Sequence, residues 1–387
     1  KLDNIIGSGF MQVYFDNGAT TQPFDEVVEL VAQTMKNNFG NPSSAHGLGL
    51  KAEKALNEAR DVAAKTINCT RDEIIFTSGG SESNNFLVKG FTSAGAHIIT
   101  TEIEHPSILN TFKDLEMVGA KVTYLKVDQY GRISLKDLEN SISNQTRLVS
   151  IMHVNNEIGT IQDIESIGAL IKEKSPRVKF HVDAVQSYGK LKIDVKKAQI
   201  DLLSVSGHKI HGPRGVGFSY IKKGFYPKAL ISGGGQERNF RSGTENLPGI
   251  VGMAKAAEIM YTNIEKNYLK AKELKEYFIE SLKSLKDIKI NSPSEEFFSP
   301  YILSVSFLGV RGEVLLHLLE EKGIYVSTGS ACSSNHNADS HVLKAIGLST
   351  AQTKGTIRFS FSEFNTKEEV DYTMEVLEKS LKFLRRK

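Results

Sequence analysis

The sequence has few cysteines, no long apolar run and little excess charge, and each shortage excludes a class of protein. Only Cys69 and Cys332 occur among 387 residues, which excludes a disulfide-stabilised scaffold and a four-cysteine metal site; no metal is expected. No stretch approaches about 18 consecutive apolar residues, so no membrane-spanning helix is expected. A net charge of +3 is too small to predict nucleic-acid binding. The reducing cytoplasm is the compartment expected for so few cysteines.

The pattern of apolar residues divides the chain into two predicted domains. Residues 1–10 carry no signal-peptide pattern, and we interpret them as a remnant that precedes a native start at Met11. Strand and helix patterns alternate over residues 24–258, which predicts a large α/β domain with a mainly parallel sheet. Residues 11–23 and 259–387 are predicted to form a smaller α+β domain, whose last helix begins with a capping box at Thr366 and Glu369. The elements predicted in the large domain are helices at 24–38, 52–66 and 81–90, and strands at 73–77, 98–100, 122–125, 148–152, 180–182, 202–205 and 216–220.

A lysine and an acid follow two consecutive predicted strands. Lys209 lies in the polar segment 206–213, directly after the apolar run 200–205, and Asp183 ends the apolar run before that one. A pyridoxal phosphate enzyme needs such a pair, because a lysine holds the cofactor aldehyde as a Schiff base and an acid keeps the pyridine nitrogen protonated. Either residue alone is a weak signal, but the two in this order indicate this mechanism.

A glycine pair joins a predicted strand to a predicted helix. Gly79 and Gly80 precede Ser81, so backbone N–H groups at the start of that helix can approach an anion, which the helix dipole also favours. The segment matches neither a Walker loop nor the dinucleotide-binding spacing, so a single phosphate is the better functional interpretation. An ordinary turn between strand and helix is the alternative.

Further polar residues follow other predicted strands. His105 could stack on a planar ring or move protons, although an ordinary loop histidine is the alternative. Asn156 comes just after the predicted strand 148–152. Ligands of open parallel sheets bind at the carboxyl ends of the strands. We therefore expect Ser81, His105, Asn156 and the Asp183–Lys209 pair to converge at one edge.

Three segments outside this pattern also carry candidate residues. The glycine-rich stretch 233–246 is either a loop that allows close backbone approach or a surface hairpin. Cys332 lies among small and polar residues that cannot bury a thiol, which favours a reactive role, whereas Cys69 ends a helical pattern and is expected to be structural. Arg358 is expected on the polar face of a strand, where it could bind a substrate carboxylate or simply lie on the surface.

The chain resembles the cysteine desulfurases of the NifS/IscS type, in the class V aminotransferase group of fold-type I pyridoxal phosphate enzymes. The resemblance extends from residue 13 to the final helix. Small departures exist: Gly18 replaces a frequent Asn, and Gly80-Ser81 replaces Ala-Thr while keeping the hydroxyl. The segment after Cys332 resembles the long-loop branch of the family. The motifs that carry the resemblance are Asn41-Pro42-Ser43-Ser44-Ala45-His46, Asn155-Asn156-Glu157-Ile158-Gly159, His181-Val182-Asp183-Ala184, Ser206-Gly207-His208-Lys209, Arg241-Ser242-Gly243-Thr244 and Gly329-Ser330-Ala331-Cys332.

The resemblance implies a role for each candidate residue. Lys209 would bond covalently to the cofactor, Asp183 would pair with the pyridine nitrogen, and His105 would stack on the ring. Gln186 and Asn156 would contact the side of the ring that carries the hydroxyl. Arg358 and Asn156 would hold the substrate carboxylate. The phosphate would be bound by Gly80, Ser81, Ser206 and His208, with Thr244 contributed by the other subunit of a homodimer.

The implied reaction removes sulfur from L-cysteine, leaving L-alanine and a persulfide on Cys332. The persulfide would pass to a protein acceptor, such as an iron–sulfur scaffold or a tRNA-thiolation protein. Two alternatives remain open: a selenocysteine lyase or other class V enzyme, and a non-catalytic platform that docks sulfur carriers. Lys209, Asp183 and Cys332 argue against the platform, because docking alone needs none of them.

Overall fold

The computed structural model describes residues 11–328 and 340–385. The strands within these ranges are β1 (Val13–Tyr14), β2 (Ile74–Thr77), β3 (His97–Thr101), β4 (Lys121–Leu125), β5 (Thr146–Met152), β6 (Lys179–Asp183), β7 (Leu202–Ser206), β8 (Gly217–Ile221), β9 (Ile288–Ile290), β10 (Ile302–Phe307), β11 (Ile324–Tyr325) and β12 (Thr356–Ser360). The helices are α1 (Asp25–Asn37), α2 (Gly47–Thr66), α3 (Gly80–Gly90), α4 (Pro106–Met117), α5 (Leu135–Ser141), α6 (Ile164–Lys174), α7 (Leu247–Thr262), α8 (Ile264–Leu282), α9 (Gly312–Glu320), α10 (His341–Ala345), α11 (Thr350–Lys354) and α12 (Lys367–Leu384).

The chain divides into two compact units. The large unit comprises residues 20–156 and 160–267, and the small unit comprises the described residues of 1–19, 157–159 and 268–387. The domain limits expected from the sequence stay a prediction, because compactness alone does not define a domain that folds independently.

The large unit is built on a seven-stranded sheet in the order β2-β8-β7-β6-β5-β3-β4. The pairs among β4, β3, β5, β6 and β7 are parallel, whereas β8 runs antiparallel to both β7 and β2. Since β8 reverses direction against both neighbours, β2 runs the same way as β7. The predicted α/β class with a mainly parallel sheet is confirmed, and the carboxyl ends of six of these seven strands lie at one edge.

Alternating side chains of the sheet enter two hydrophobic clusters. Ile98 packs with residues of α3 and α4, whereas its neighbour Ile99 packs with residues of α2, α6 and α7. Helices therefore cover both faces of the sheet, which explains why nearly every residue of the central strands β6 and β7 is buried. The polar residues at the strand ends lie beyond this core, where they can serve a binding site.

Helix α2 begins five residues before the predicted start at residue 52. His46 caps it, since its ring Nδ1 accepts a hydrogen bond from the N–H of Gly49 at 3.3 Å. Gly49 has no room for a side chain, because a Cβ there would lie 2.1 Å from the carbonyl oxygen of Ser44. The two glycines of this turn weaken the helical pattern, which is why the sequence did not indicate it.

The small unit contains a three-stranded antiparallel sheet, β12-β10-β9, and the parallel pair β1-β11. Its core includes the fully buried rings of Phe15, Phe278, Phe359 and Phe361. The capping box predicted for the last helix is present: the Thr366 hydroxyl accepts from Glu369 N and the Glu369 carboxylate accepts from Thr366 N. Of the helices described in either unit, none has the length and apolarity needed to cross a membrane.

Candidate active site

Lys209 lies in a tight 3₁₀ turn at the carboxyl end of β7. Residues 207–209 form the turn, whose carbonyl at Gly207 accepts from the N–H groups of Ile210 and Gly212, both at 3.1 Å. Glycine suits position 207, since a Cβ would lie only 3.1 Å from a methyl of Val216 and 3.2 Å from the Pro213 carbonyl. The turn holds Lys209 in a buried position, 9% exposed, at the edge of the sheet where the carboxyl ends of the parallel strands lie.

Asp183 ends β6, the strand next to β7. Its Oδ2 accepts a hydrogen bond from the Asn84 amide at 2.8 Å, and its Oδ1 accepts one from the N–H of Val185 at 3.0 Å. The residue is 4% exposed and pairs in register with Ser204 of β7. The two donors fix a buried carboxylate in one orientation, as a partner of a ring nitrogen requires.

A glycine-lined cradle follows β2 at the same edge. The φ of Gly79 is +149°, a conformation that side chains rarely permit, and a Cβ on Gly80 would lie 2.6 Å from a methyl of Val185. The position of a Cβ on Gly79 lies 3.5 Å from the Ser206 hydroxyl. The N-terminus of α3 and Ser206 thus border one small space, where helix N–H groups favour an anion. Ser81, the second residue of α3, is exposed there.

His208 lies in the same turn as Lys209. Burial, followed by the positive charges of Lys209, Arg214 and Lys190, lowers its pKa to about 4. The ring is therefore neutral at pH 7 and can offer an N–H group to an anion without adding charge. Its Nδ1 lies 3.2 Å from the Thr20 hydroxyl.

His105 caps the start of α4, with Pro106 at the first helical position. Its Nδ1 accepts from the N–H of Ser107 at 3.1 Å and lies 2.8 Å from the Ser107 hydroxyl. The same hydroxyl accepts from the Asn84 amide at 2.8 Å, so His105 is connected to Asp183 through two side chains.

The remaining cofactor candidates of the large unit lie in loops. Asn156 and Gln186, which follow β5 and β6, are buried at 6% and 5% exposure. Thr244 is exposed and lines a cavity of about 120 Å³ together with Ser78 and Arg241. Arg241 is held by the Glu82 carboxylate of α3, which accepts from its Nε at 2.8 Å.

Arg358 belongs to the small unit, on β12. It is 1% exposed, and its Nη2 lies 2.9 Å from Oδ1 of Asp16. Ile357 and Phe359 on either side enter the hydrophobic core, so Arg358 does occupy the polar face of the strand, but that face is buried. Glu157, also of the small unit, accepts a hydrogen bond from Ser340. Burial raises the pKa of Glu157 to about 7, against the opposing effects of that hydrogen bond and of the Arg358 charge.

Of the two cysteines, only Cys69 lies within the described residues. Cys332 lies outside the described residues. Cys69 packs against the core of the large unit, and burial raises its thiol pKa to about 12. A thiol with that pKa is not a nucleophile at neutral pH, which agrees with the structural role expected for Cys69.

Three residues near this edge were missed by the sequence analysis. Asn84 and Ser107 provide the connection between Asp183 and His105, and Glu104 is a fully buried carboxyl that accepts from Thr101 Oγ1 and Met152 N at 2.8 and 3.0 Å. Buried polar residues give no periodic signal, so only their neighbours in sequence, such as Glu104 beside His105, could have drawn attention to them. In the described part of the chain, no group of His, Cys, Asp and Glu side chains could hold a metal ion.

The donor set of the large unit fits pyridoxal phosphate. A buried amine at Lys209 and a buried carboxylate at Asp183 lie at the ends of adjacent strands, as the aldehyde and the ring nitrogen of that cofactor require. The position of a Cβ on Gly79 has only the Ser206 hydroxyl near it, which leaves open space at the start of α3 that suits a phosphate.

Comparison with known proteins places this arrangement in a family. The aminotransferase class-V family matches residues 13–373. Cysteine desulfurase IscS of Clostridium botulinum (strain Hall) is 47% identical over 377 residues, which are 96% of this chain and 94% of that protein. A solved NifS-like protein superposes with a TM-score of 0.91 at 43% identity, covering 96% of this chain and all of the other. A structure described as SspA in complex with cysteine superposes with a TM-score of 0.81 at 37% identity, over 92% of this chain and all of the other. The chain therefore belongs to the class V aminotransferase family and, within it, to the cysteine desulfurases of the IscS/NifS type.

Proposed function

We propose that this chain is a pyridoxal phosphate-dependent cysteine desulfurase, which converts L-cysteine to L-alanine and retains the sulfur as a persulfide on Cys332. The observation that carries the proposal is the placement of a buried lysine and a buried acid at the ends of two adjacent parallel strands, Lys209 after β7 and Asp183 on β6. The relatives named cysteine desulfurase support the reaction.

The residues of the large unit would hold the cofactor as follows. Ser81, Ser206, His208 and the backbone of Gly80 would bind the phosphate, with neutral donors around the anion. Asp183, fixed by two N–H donors, would pair with the ring nitrogen, while His105 would stack on the ring and Gln186 and Asn156 would contact the side bearing the hydroxyl. When bound, pyridoxal phosphate supplies an aldehyde that captures amino groups and a ring that withdraws electrons from the adjacent carbon.

Lys209 and Arg358 would act on the substrate itself. Once the substrate amine has replaced it, the neutral Lys209 amine would take the Cα proton of cysteine. Arg358 and Asn156 would bind the substrate carboxylate, the interaction for which the planar guanidinium is suited. The solved relative described as a complex with cysteine supports cysteine as the substrate.

Cys332 would then receive the sulfur. Its thiolate attacks the sulfur of the bound cysteine, a sulfur–sulfur bond forms, and the bond between Cβ and sulfur breaks, so that alanine leaves after protonation. The persulfide passes to an acceptor protein, such as an iron–sulfur scaffold or a tRNA-thiolation protein. A reducing cytoplasm fits this chemistry, because a free thiol persists there.

The functional form would be a homodimer, to which each subunit contributes Thr244 for the partner's phosphate site. Four large apolar residues within 35–50 of the large unit are exposed, which supports association through this part of the chain. They are Met35, Phe39, Leu48 and Leu50, at 63%, 71%, 48% and 65% exposure.

A single-turnover reaction of the cofactor-loaded protein with L-cysteine tests the proposal. We expect alanine by chromatography and a gain of one sulfur atom in the mass of the Cys332 peptide. The variant Cys332→Ala should bind the cofactor and form no persulfide, whereas Cys69→Ala should behave as the wild type. Transaminated product or pyruvate without the mass gain would assign the chain to another class V activity. Faster release of selenium from selenocysteine than of sulfur from cysteine would identify a selenocysteine lyase, and no turnover would favour a docking platform.

A further inference from the structure

Four side chains of the large unit form one continuous chain of hydrogen bonds. Asn84 of α3 stands at its centre, 1% exposed, and its Nδ2 donates both to Asp183 and to the Ser107 hydroxyl, each at 2.8 Å. The Ser107 hydroxyl in turn lies 2.8 Å from Nδ1 of His105. The candidate pyridine partner and the candidate stacking histidine are therefore connected through two residues that have no assigned role.

The Asp183 carboxylate determines which atoms donate and which accept in these hydrogen bonds. Asp183 accepts from the Val185 N–H with one oxygen, so its other oxygen also requires a donor. The Asn84 amide must therefore turn its NH₂ group towards Asp183, because the opposite orientation would place two acceptor oxygens together. Both amide hydrogens are then directed, one to Asp183 and one to the Ser107 oxygen.

Ser107 determines which ring nitrogen of His105 bears the proton. The backbone N–H of Ser107 can only donate, and it points at Nδ1 at 3.1 Å, so this nitrogen must present its lone pair. The Ser107 hydroxyl already accepts from Asn84, and its own hydrogen is free to donate to the same nitrogen. The two donors of Ser107 thus exclude a proton on Nδ1 of the neutral ring.

We infer that Asn84 and Ser107 are positioning residues that hold neutral His105 with its proton on Nε2, and so make that atom a hydrogen-bond donor rather than an acceptor. The role in turnover rests on the proposed function, whereas the protonation pattern belongs to the protein itself. In the reaction, such a histidine would donate a hydrogen bond from Nε2 to the negative charge that develops as the bond between Cβ and sulfur breaks, and it would keep its proton throughout.

The protonation pattern can be measured without cofactor or substrate. Protein labelled with ¹⁵N in its histidines reports the protonated nitrogen of each ring through proton–nitrogen correlation spectra, and His105→Asn identifies the signals of His105 among the 10 histidines. We expect the neutral His105 ring to show a protonated Nε2 and a bare Nδ1. A protonated Nδ1 in the wild type would overturn the inference, whatever the enzyme activity is.

Substitutions of Ser107 separate positioning from a merely structural effect. Ser107→Ala removes one of the two donors to Nδ1 and keeps the backbone N–H, so we expect a weakened preference for the Nε2-protonated ring. It should appear as a detectable Nδ1-protonated fraction together with a fall of about 10-fold in kcat at nearly constant KM. Ser107→Thr keeps the hydroxyl and should restore both readouts. Ser141→Ala, at a half-buried helical serine whose hydroxyl donates to Asp137 O, should change neither. Unchanged spectra and kinetics in Ser107→Ala would refute the positioning role. If the wild type shows the Nε2-protonated ring but makes no alanine from L-cysteine, only the proposed function is refuted.

Discussion

Arg60 and Glu237 form a bidentate ion pair inside the large unit. The two guanidinium nitrogens lie 2.7 and 2.8 Å from the two carboxylate oxygens, and the side chains are only 7% and 2% exposed. One oxygen of Glu237 also accepts from the N–H of Phe76 on β2 at 2.9 Å. The pair therefore ties the glycine-rich segment 233–246 to α2 and to the strand that leads into the phosphate cradle.

The same pair holds backbone that would otherwise be unfavourable. Glu237, Arg238 and Asn239 all have positive φ angles, of 44°, 59° and 67°. Non-glycine residues in this region cost roughly 1–3 kcal/mol each and persist only where the surroundings fix them. The ion pair at Glu237 provides this fixation, so the segment is an anchored loop and not the free surface hairpin that its composition allowed.

Removing the Glu237 carboxylate should destabilise the protein strongly. Glu237→Ala leaves the buried Arg60 charge without its partner, for which a loss of about 3–5 kcal/mol in unfolding free energy is typical. Urea unfolding monitored by circular dichroism should show a clearly lower midpoint. The matched control is Glu280→Ala, which breaks the exposed pair with Lys283 and should leave the midpoint almost unchanged. Equal midpoints for the two variants would mean that the buried pair contributes nothing.

Glu104 should make the stability depend on pH. Burial and, to a smaller extent, the nearby Asp183 charge raise its pKa from 4.5 to about 8, against the opposing effect of the hydrogen bonds from Met152 and Thr101. The folded protein then binds a proton that the unfolded chain has lost, so Glu104 lowers stability progressively as the pH rises from about 4.5 to about 8.

Glu104→Gln isolates this effect, because its amide oxygen can accept the same two hydrogen bonds without titrating. We expect the variant to match the wild type near pH 4.5 and to gain stability over it as the pH approaches 8. The buried His153 and His181, with pKa values lowered to about 4 and about 3, act in the opposite direction but contribute equally to both proteins. A constant difference between the two unfolding curves across this range would contradict the assignment.

The fold was largely predictable, since its signal is local. The strands of the large unit were expected within two residues of their limits, because runs such as β5 and β7 combine β-branched residues with sharp polar ends. The start of α2 was wrong because a histidine cap and two glycines do not resemble a helix beginning. The order of the strands could not be derived residue by residue, because pairing such as that of β2 with β8 joins positions far apart in the chain.

The residues of the candidate site were also predictable only where their signal in the sequence is local. Asp183 and Lys209 were recognisable because each follows an apolar run, and the structure places both at strand ends on one edge. Asn84, Ser107 and Glu237 gave no such signal, since their contacts depend on distant segments that meet only in the folded chain. Long-range partners of buried polar groups require the three-dimensional structure.

Lys209→Ala should abolish both covalent attachment of the cofactor and turnover. The buried amine is the only nucleophile assigned to the aldehyde, so borohydride reduction of cofactor-treated protein should label the peptide of Lys209 in the wild type and not in the variant. The visible absorbance of the lysine-bound cofactor should likewise be present in the wild type and absent in Lys209→Ala. Lys223→Ala, an exposed lysine just after β8, should retain labelling, absorbance and activity. Label at another peptide, with alanine still produced, would show that the lysine is misassigned.

Arg358→Lys should weaken recognition of the substrate carboxylate while preserving the charge. A lysine cannot offer the two parallel N–H donors of a guanidinium, so we expect KM for L-cysteine to rise about 10–100-fold, as for the loss of a hydrogen bond between charged groups. The fall in kcat should be much smaller. Arg385→Lys is the matched control. The guanidinium of Arg385 also donates several hydrogen bonds, to the carbonyls of Leu308, Lys286 and Asp287, but it has no proposed contact with substrate.

Cysteamine, which is cysteine without its carboxylate, distinguishes binding from general damage at Arg358. If the guanidinium binds the carboxylate, the wild type should prefer cysteine to cysteamine by a wide margin in kcat/KM, and Arg358→Lys should narrow that margin by losing activity on cysteine alone. The ion pair with Asp16 stays possible for lysine, so the fold of the small unit should survive the change. Equal losses on both compounds would assign Arg358 to the structure of β12 and leave the carboxylate to other residues, of which Asn156 is the first to test.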